Sequence, residues 1–229
     1  MEPPLSQRDV PGRQEYVRRW AALHGVDDPA ATPFVAGWLR IAHMCAAPLV
    51  RRGVSPNALT AVGLLLALAV LPVVALGGRW PLLAPVLVVA SAMLDSLDGA
   101  VAVMAGRTSR WGALLDALAD RVSDSAYLAA LWLLGAPAWL AVAAGGVALL
   151  HEYARARATS AGMDDVGAVT VSERPTRVVI ATMFVLAAGL YPSAAATWGG
   201  LGAAAALVVG LVGLVQLLVV VRRRLRTGS

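Results

Sequence analysis

Residues 95–120 read DSLDGAVAVMAGRTSRWGALLDALAD. Four acids stand in this otherwise mostly apolar stretch: Asp95, Asp98, Asp116 and Asp120. The first two are three residues apart and the last two are four apart. On a helix, either spacing puts the pair on one face. One apolar run ends near Met104 and the next begins near Trp111, with the short polar turn 105–110 between them. Two helices joined by that turn bring the pairs together. Four carboxylates at one point repel one another unless cations or protons neutralise them. An all-oxygen ligand set suits a hard divalent cation, Mg²⁺ first, with Mn²⁺ or Ca²⁺ next. Acids that simply cap or solvate helix ends are the plainer reading, and two pairs flanking one turn weigh against it.

Composition sets the surroundings of this cluster. Of 229 residues, 59% are hydrophobic and only 14% charged, with a mean hydropathy of +0.70. A soluble domain of this size needs more polar surface. Several apolar stretches approach the ~20 residues that cross a bilayer. The expected fold is therefore all-α: a polytopic membrane protein with six transmembrane helices and an N-terminal interfacial helix. The net charge of +5 does not point to nucleic acid. The arginines sit beside apolar segments, as in a protein held by anionic lipid. The single cysteine, Cys45, excludes an intrachain disulfide.

Four segments are expected. Residues 1–30 form a polar cytoplasmic segment, helical over about 16–24. Residues 31–54 form an amphipathic helix lying along the membrane, anchored by Trp38 and Arg40 and limited by Pro48. In it, His43 reads as a headgroup-level residue rather than a base. Residues 55–221 carry six spans near 58–76, 81–104, 111–134, 138–153, 178–191 and 198–221. Ser55-Pro56-Asn57 fits a helix cap at the start of the first span. Residues 222–229 form a basic cytoplasmic tail. Residues 159–176 form the longest internal loop.

The arginines fix the orientation. Arg51 and Arg52, Arg107 and Arg110, the set from Arg155 to Arg177, and Arg222 to Arg226 all fall on one side, while the opposite turns hold only Arg79. The positive-inside rule then places both termini and both acid pairs on the cytoplasmic side of the plasma (inner) membrane. Acids within spans are costly unless they face the bundle interior or a wet cavity. Gly99 and Gly112 remove side chains beside them, which lets a ligand approach. Asp124 continues the four-residue stripe of Asp116 and Asp120, with Arg121 beside it. The glycines of the last span, Gly200, Gly202, Gly210 and Gly213, suit close helix contact and suggest a homodimer.

The pattern Asp95, Asp98-Gly99, Ala102, Gly112, Asp116, Asp120 resembles the signature of the CDP-alcohol phosphatidyltransferases, and within them the bacterial phosphatidylinositol phosphate synthases. The resemblance covers about residues 55–177. Val103 stands where that signature usually has Arg. The resemblance implies a metal site of Asp95, Asp98, Asp116 and Asp120 holding two Mg²⁺, with Mn²⁺ as the alternative. A Pro-Asn-x-x-Thr element, here Pro56, Asn57 and Thr60, is implied to lie near the nucleotide. Gly99, Gly112, Arg107 and Arg110 complete the expected donor site. Relatives that use inositol phosphate carry a similar Arg-Ala-Arg and Glu-Arg pair. By position, Arg155, Arg157, Glu173 and Arg174 would then line the acceptor pocket.

The implied reaction moves a phosphatidyl group from CDP-diacylglycerol to an alcohol, with inositol phosphate as the leading acceptor, and releases CMP. Phosphate charge must be offset, the phosphorus aligned and the hydroxyl deprotonated. Two metal ions serve the first two needs. Crowding among like charges raises a carboxylate toward a useful base, and Asp120 is the choice for it, in agreement with the family. Phosphatidylglycerophosphate or cardiolipin synthesis is the alternative enzyme reading. A cation-coupled transporter and a non-catalytic membrane scaffold are the alternatives from other classes.

Overall fold

The computed structural model describes residues 10–24, 33–163 and 170–227. Among them the regular structure is helical throughout. Eight α-helices follow in order: α1 (Arg13–His24), α2 (Pro33–Arg51), α3 (Pro56–Ala75), α4 (Ala84–Met104), α5 (Arg110–Leu133), α6 (Ala138–Ser160), α7 (Arg174–Leu190) and α8 (Ala195–Thr227). Short 3-10 turns precede α4 (Trp80–Leu83) and α8 (Pro192–Ala194). Residues 31 and 32, expected to begin the interfacial helix, lie outside the described residues.

Among the described residues, three stretches are long and apolar enough to cross a membrane: Pro56–Ala75, Trp80–Met104 and Pro192–Leu225. Large apolar side chains on them, such as Leu65, Val86, Val208 and Val215, are exposed. Such a surface suits lipid rather than water. Two other long helices are more heavily charged. Asp116, Asp120, Arg121 and Asp124 interrupt α5, and Glu152, Arg155 and Arg157 interrupt α6.

The chain divides into two compact units. The first comprises Met1–Leu65 and Ala90–Asp120. Its core is a stripe on α2, namely Leu39, Ala42, Ala46 and Val50, packed with Tyr16, Leu59, Val101, Val103 and Met104. The spacing of that stripe follows the helical repeat. The opposite face of α2 exposes Trp38, Ile41 and Met44. His43 Nε2 lies 3.1 Å from the Pro11 carbonyl oxygen, and its ring packs on Tyr16 at 5.8 Å between centroids. This histidine ties the N-terminal segment to α2. Pro48 does not end α2, which runs on to Arg51. Ser91 on α4 donates to the Gly63 carbonyl of α3 at 2.8 Å.

The second unit comprises Leu66–Val89 and Arg121–Ser229. Val70, Val74, Val88, Tyr127, Leu131, Val185 and Ala203 build its core. The glycines of α8 serve packing inside this unit. A Cβ on Gly202 would come within 2.8 Å of Phe184, one on Gly210 within 3.1 Å of Val147, and one on Gly213 within 2.3 Å of Ser172. Gly200 alone of the four has open space at that position. Helix α6 runs seven residues past the expected end of its span. Ala and Arg are good helix formers, and the stretch from Ala154 to Ala158 has no residue that breaks the helix.

Candidate active site

Two helix ends position the acids, and both are capped by serine. Ser55 Oγ accepts from the Ala58 amide at 3.1 Å, with Pro56 in the favoured first helical position of α3. The capping atom is thus the serine hydroxyl, and Asn57 is left to face the site. Ser109 Oγ accepts from the Gly112 amide at 3.0 Å and starts α5 in the same way. Between α4 and α5, Gly106 takes a left-handed φ of 62°. The Arg107 amide reaches back to the Ala102 carbonyl at 2.9 Å and the Gly106 amide to that of Val103 at 3.3 Å. These two bonds satisfy the last carbonyls of α4 in a Schellman motif, and the chain then turns directly into α5.

Asp95, Asp116 and Asp120 come together across that turn. One carboxylate oxygen from each lies within 4.8 Å of the others, and all three residues are half-buried. Three converging carboxylates are the donor chemistry of a hard divalent cation. Asp98 is more deeply buried. Its carboxylate accepts a hydrogen bond from the Thr60 hydroxyl, so the fourth acid is held from α3. The sequence spacing identified all four, and the fold gathers three as one group.

Beside them opens a cavity of about 620 Å³ whose walls include Asn57, Thr60, Asp98, Gly99, Val103, Arg107, Ser109, Gly112 and Asp116. Gly99 faces open space, while a Cβ on Gly112 would stand 3.5 Å from Asn57 Oδ1. Gly112 therefore lets Asn57 lie against α5. Val103 is buried in the apolar core as well as touching this cavity. Arg107, one helical turn later in sequence, lines it. Arg110 is the first residue of α5 and is exposed.

In the second unit Arg121, Arg155 and Arg177 are tied by acids. Arg155 donates to Glu173 Oε1 at 2.6 Å. The same oxygen accepts the Thr170 amide at 2.9 Å and the Thr170 hydroxyl at 2.8 Å. Burial alone would raise the Glu173 carboxyl, but the Thr170 donors and Arg155 outweigh it and hold it below its ordinary range. Arg157 is exposed, and Arg174 is the first residue of α7, half-buried. Arg177 lies 3.1 Å from Asp124 and 2.9 Å from Glu152, and Arg121 lies 2.9 Å from Glu152. Asp124 also lies 3.6 Å from Arg121 and so is a partner of two arginines. Glu152, which bridges both, was not singled out by the sequence. Its only local signal is an acid inside an apolar helix.

A family model described as CDP-alcohol phosphatidyltransferase matches residues 53–221. Among named relatives, the chain is 35% identical over 191 residues to an archaetidylinositol phosphate synthase of Aeropyrum pernix, covering 82% of this chain and 93% of the relative. It is 36% identical over 168 residues to a phosphatidylinositol phosphate synthase of Streptomyces avermitilis, covering 68% and 66%. Two crystal structures of the phosphatidylinositol phosphate synthase of Mycobacterium tuberculosis are similar, each at 26% identity. The one with manganese and citrate has a TM-score of 0.64 and covers 77% of this chain and 87% of that one. The one with CDP-DAG bound has a TM-score of 0.62 and covers 78% and 94%.

Proposed function

Because the chain belongs to the CDP-alcohol phosphatidyltransferase family, a family of metal-dependent transferases, we propose that it moves a phosphatidyl group from CDP-diacylglycerol to inositol phosphate and releases CMP. The observation that carries the reading is the group of Asp95, Asp116 and Asp120 in the same unit as the cavity walled by Asn57, Thr60, Asp98 and Arg107. Family membership sets the transporter and scaffold readings aside. The relatives' names, phosphatidyl- and archaetidylinositol phosphate synthase, support the acceptor.

In the reaction, the acceptor oxygen forms a bond to the phosphorus next to diacylglycerol, and the bond from that phosphorus to the CMP oxygen breaks. Asp95, Asp98, Asp116 and Asp120 are the residues that would hold two Mg²⁺, or Mn²⁺ in their place. When bound, these ions offset phosphate charge and stabilise the leaving CMP. Asp120, the last acid of the set, takes the acceptor proton, the role that likeness to the family gives it. Asn57, Thr60, Gly99 and Gly112 shape the nucleotide end, and Arg107 and Arg110 add positive charge there. Arg155, Arg157 and Arg174 receive the acceptor phosphate, because a guanidinium donates paired charge-assisted bonds to it.

The surroundings follow from charge and length. In this reading the chain has six spans with α2 lying in the interface on Trp38, Ile41 and Met44, and the positive-inside rule puts both termini and the site on the cytoplasmic side of the plasma membrane. Two copies pair as a homodimer in this reading, with Gly200 as the α8 glycine left for a partner. In this arrangement the chain divides at 1–30, 31–54, 55–221 and 222–229.

An acceptor panel tests the function. Purified protein with Mg²⁺ and CDP-diacylglycerol is offered inositol phosphate, inositol, glycerol 3-phosphate and phosphatidylglycerol, and the lipid products are weighed by mass spectrometry. An ether-linked CDP-lipid is run in parallel because of the archaetidyl relative. Inositol phosphate should give the product. Glycerol 3-phosphate or phosphatidylglycerol giving it instead would move the assignment to those synthases.

A further inference from the structure

Glu173 is an awkward acceptor ligand, since a carboxylate repels a phosphate. Its hydrogen bonds give it another task. A single oxygen, Oε1, takes Arg155 at 2.6 Å, the Thr170 amide at 2.9 Å and the Thr170 hydroxyl at 2.8 Å. The Thr170 hydroxyl has one proton, and Glu173 receives it. His151 Nε2, 3.1 Å from Thr170 Oγ1, must then be the donor in its own contact. The bonds therefore run in one direction, from His151 to Thr170 to Glu173, where Arg155 joins from the other side. His151 is fully buried and Thr170 nearly so, 0% and 5% exposed.

The strap that carries Thr170 and Glu173 is also fixed from α8. The Val171 amide donates to Gln216 Oε1 at 2.9 Å. Ser172 is buried against Gly213, where a Cβ would come within 2.3 Å. The side chains of His151 on α6 and Gln216 on α8 thus hold this strap, and Glu173 joins it to the Arg155 guanidinium.

We propose that His151, Thr170 and Glu173 are positioning residues that aim Arg155 at the phosphate of the acceptor. This deepens the acceptor reading above and rests on it. One N–H of Arg155 is spent on Glu173, and the rest of its planar fork is held in one orientation for a second anion. A free arginine would lose that orientation and with it part of the paired bonding. Glu173 and Thr170 then determine how well a phosphorylated polyol is bound, without touching it.

Steady-state kinetics on the full-length protein in nanodiscs decide this, with CDP-diacylglycerol and inositol phosphate varied in turn. Thr170→Val keeps the shape and removes the hydroxyl. It should raise the acceptor KM about fivefold, the worth of one neutral hydrogen bond. Glu173→Gln should raise it about tenfold or more, because a charged partner is lost. Thr170→Ser should restore nearly the parent value. In each, the donor KM should move less than about twofold, since the expected loss lies in acceptor binding. An acceptor KM unchanged in Thr170→Val and Glu173→Gln overturns the proposal. So does a Thr170→Val protein that fails to fold, or loses both substrates equally, because the hydroxyl would then hold the fold rather than Arg155. A parent protein that turns over no phosphorylated acceptor defeats the acceptor reading itself, and is seen before any variant is compared.

Discussion

Arg177 Nε of α7 stands 3.1 Å from Asp124 Oδ2 of α5. Arg121 and Glu152 complete the group, with Glu152 Oε1 at 2.9 Å from each arginine. Two cations and two anions balance, and three helices are tied at one place. Asp124 is 8% exposed and Arg177 12%, so neither charge is met by much solvent.

Removing one member leaves its partners charged and buried. Asp124→Asn leaves two arginines on one glutamate. Breaking a buried pair in this way costs about 3–5 kcal/mol, and the folded protein in detergent should lose several degrees of Tm. A second change, Arg121→Gln, restores the balance and should recover part of the loss. A single variant as stable as the parent would show that water reaches the group.

Thr60 separates two roles. Its hydroxyl donates to Asp98 and also faces the cavity. If its main task is to orient a metal-holding acid, Thr60→Val should weaken Mn²⁺ binding about 10- to 100-fold, as such supporting bonds do. Thr60→Ser should bind nearly as the parent does. Titration followed by electron paramagnetic resonance reads this without turnover. Unchanged Mn²⁺ affinity together with a raised donor KM would assign Thr60 to the nucleotide instead.

Membrane orientation is read by labelling. Thr108 lies in the turn between α4 and α5 and lines the cavity. A Thr108→Cys protein, made with Cys45→Ala, should react with an impermeant maleimide only after the inner face is opened. Reaction in intact cells would invert the assignment made from the arginines.

What the sequence made legible was local. The acid pairs were found because the helical repeat turns a spacing of three or four into one face, and α4 and α5 run as that spacing required. The stripe of α2 was readable for the same reason. Helix ends were less so: α6 continues to Ser160 because polarity ends a membrane span but not a helix. The clamp of His151, Thr170 and Glu173 and the bridge through Glu152 were not legible. Their bonds join separate helices and loops, and no periodicity records which of several arginines an acid will meet. Val103 was noticed as a departure. Only the packing gives its reason, a buried place on α4 among Leu39, Val50 and Met104.

Acid should release the Glu173 clamp, but only at low pH. Burial raises this carboxyl, the Thr170 amide and hydroxyl and Arg155 lower it, and the lowering prevails over the ordinary value of 4.5. A group whose pKa is depressed in the fold adds stability that is complete above its unfolded value. That stability is lost as pH falls through the folded value. The gap in Tm between the parent and Glu173→Gln should therefore be constant from pH 8 to about 5.5, where both folded and unfolded glutamate are ionised. It should close progressively below about 4.5, as Glu173 takes up a proton and comes to resemble the glutamine. Thermal melts across this range, in one detergent and at constant ionic strength, measure it. A gap that closes between pH 7 and 6 would mean that the carboxyl is raised rather than lowered, and that Arg155 and Thr170 do not hold it as the geometry indicates.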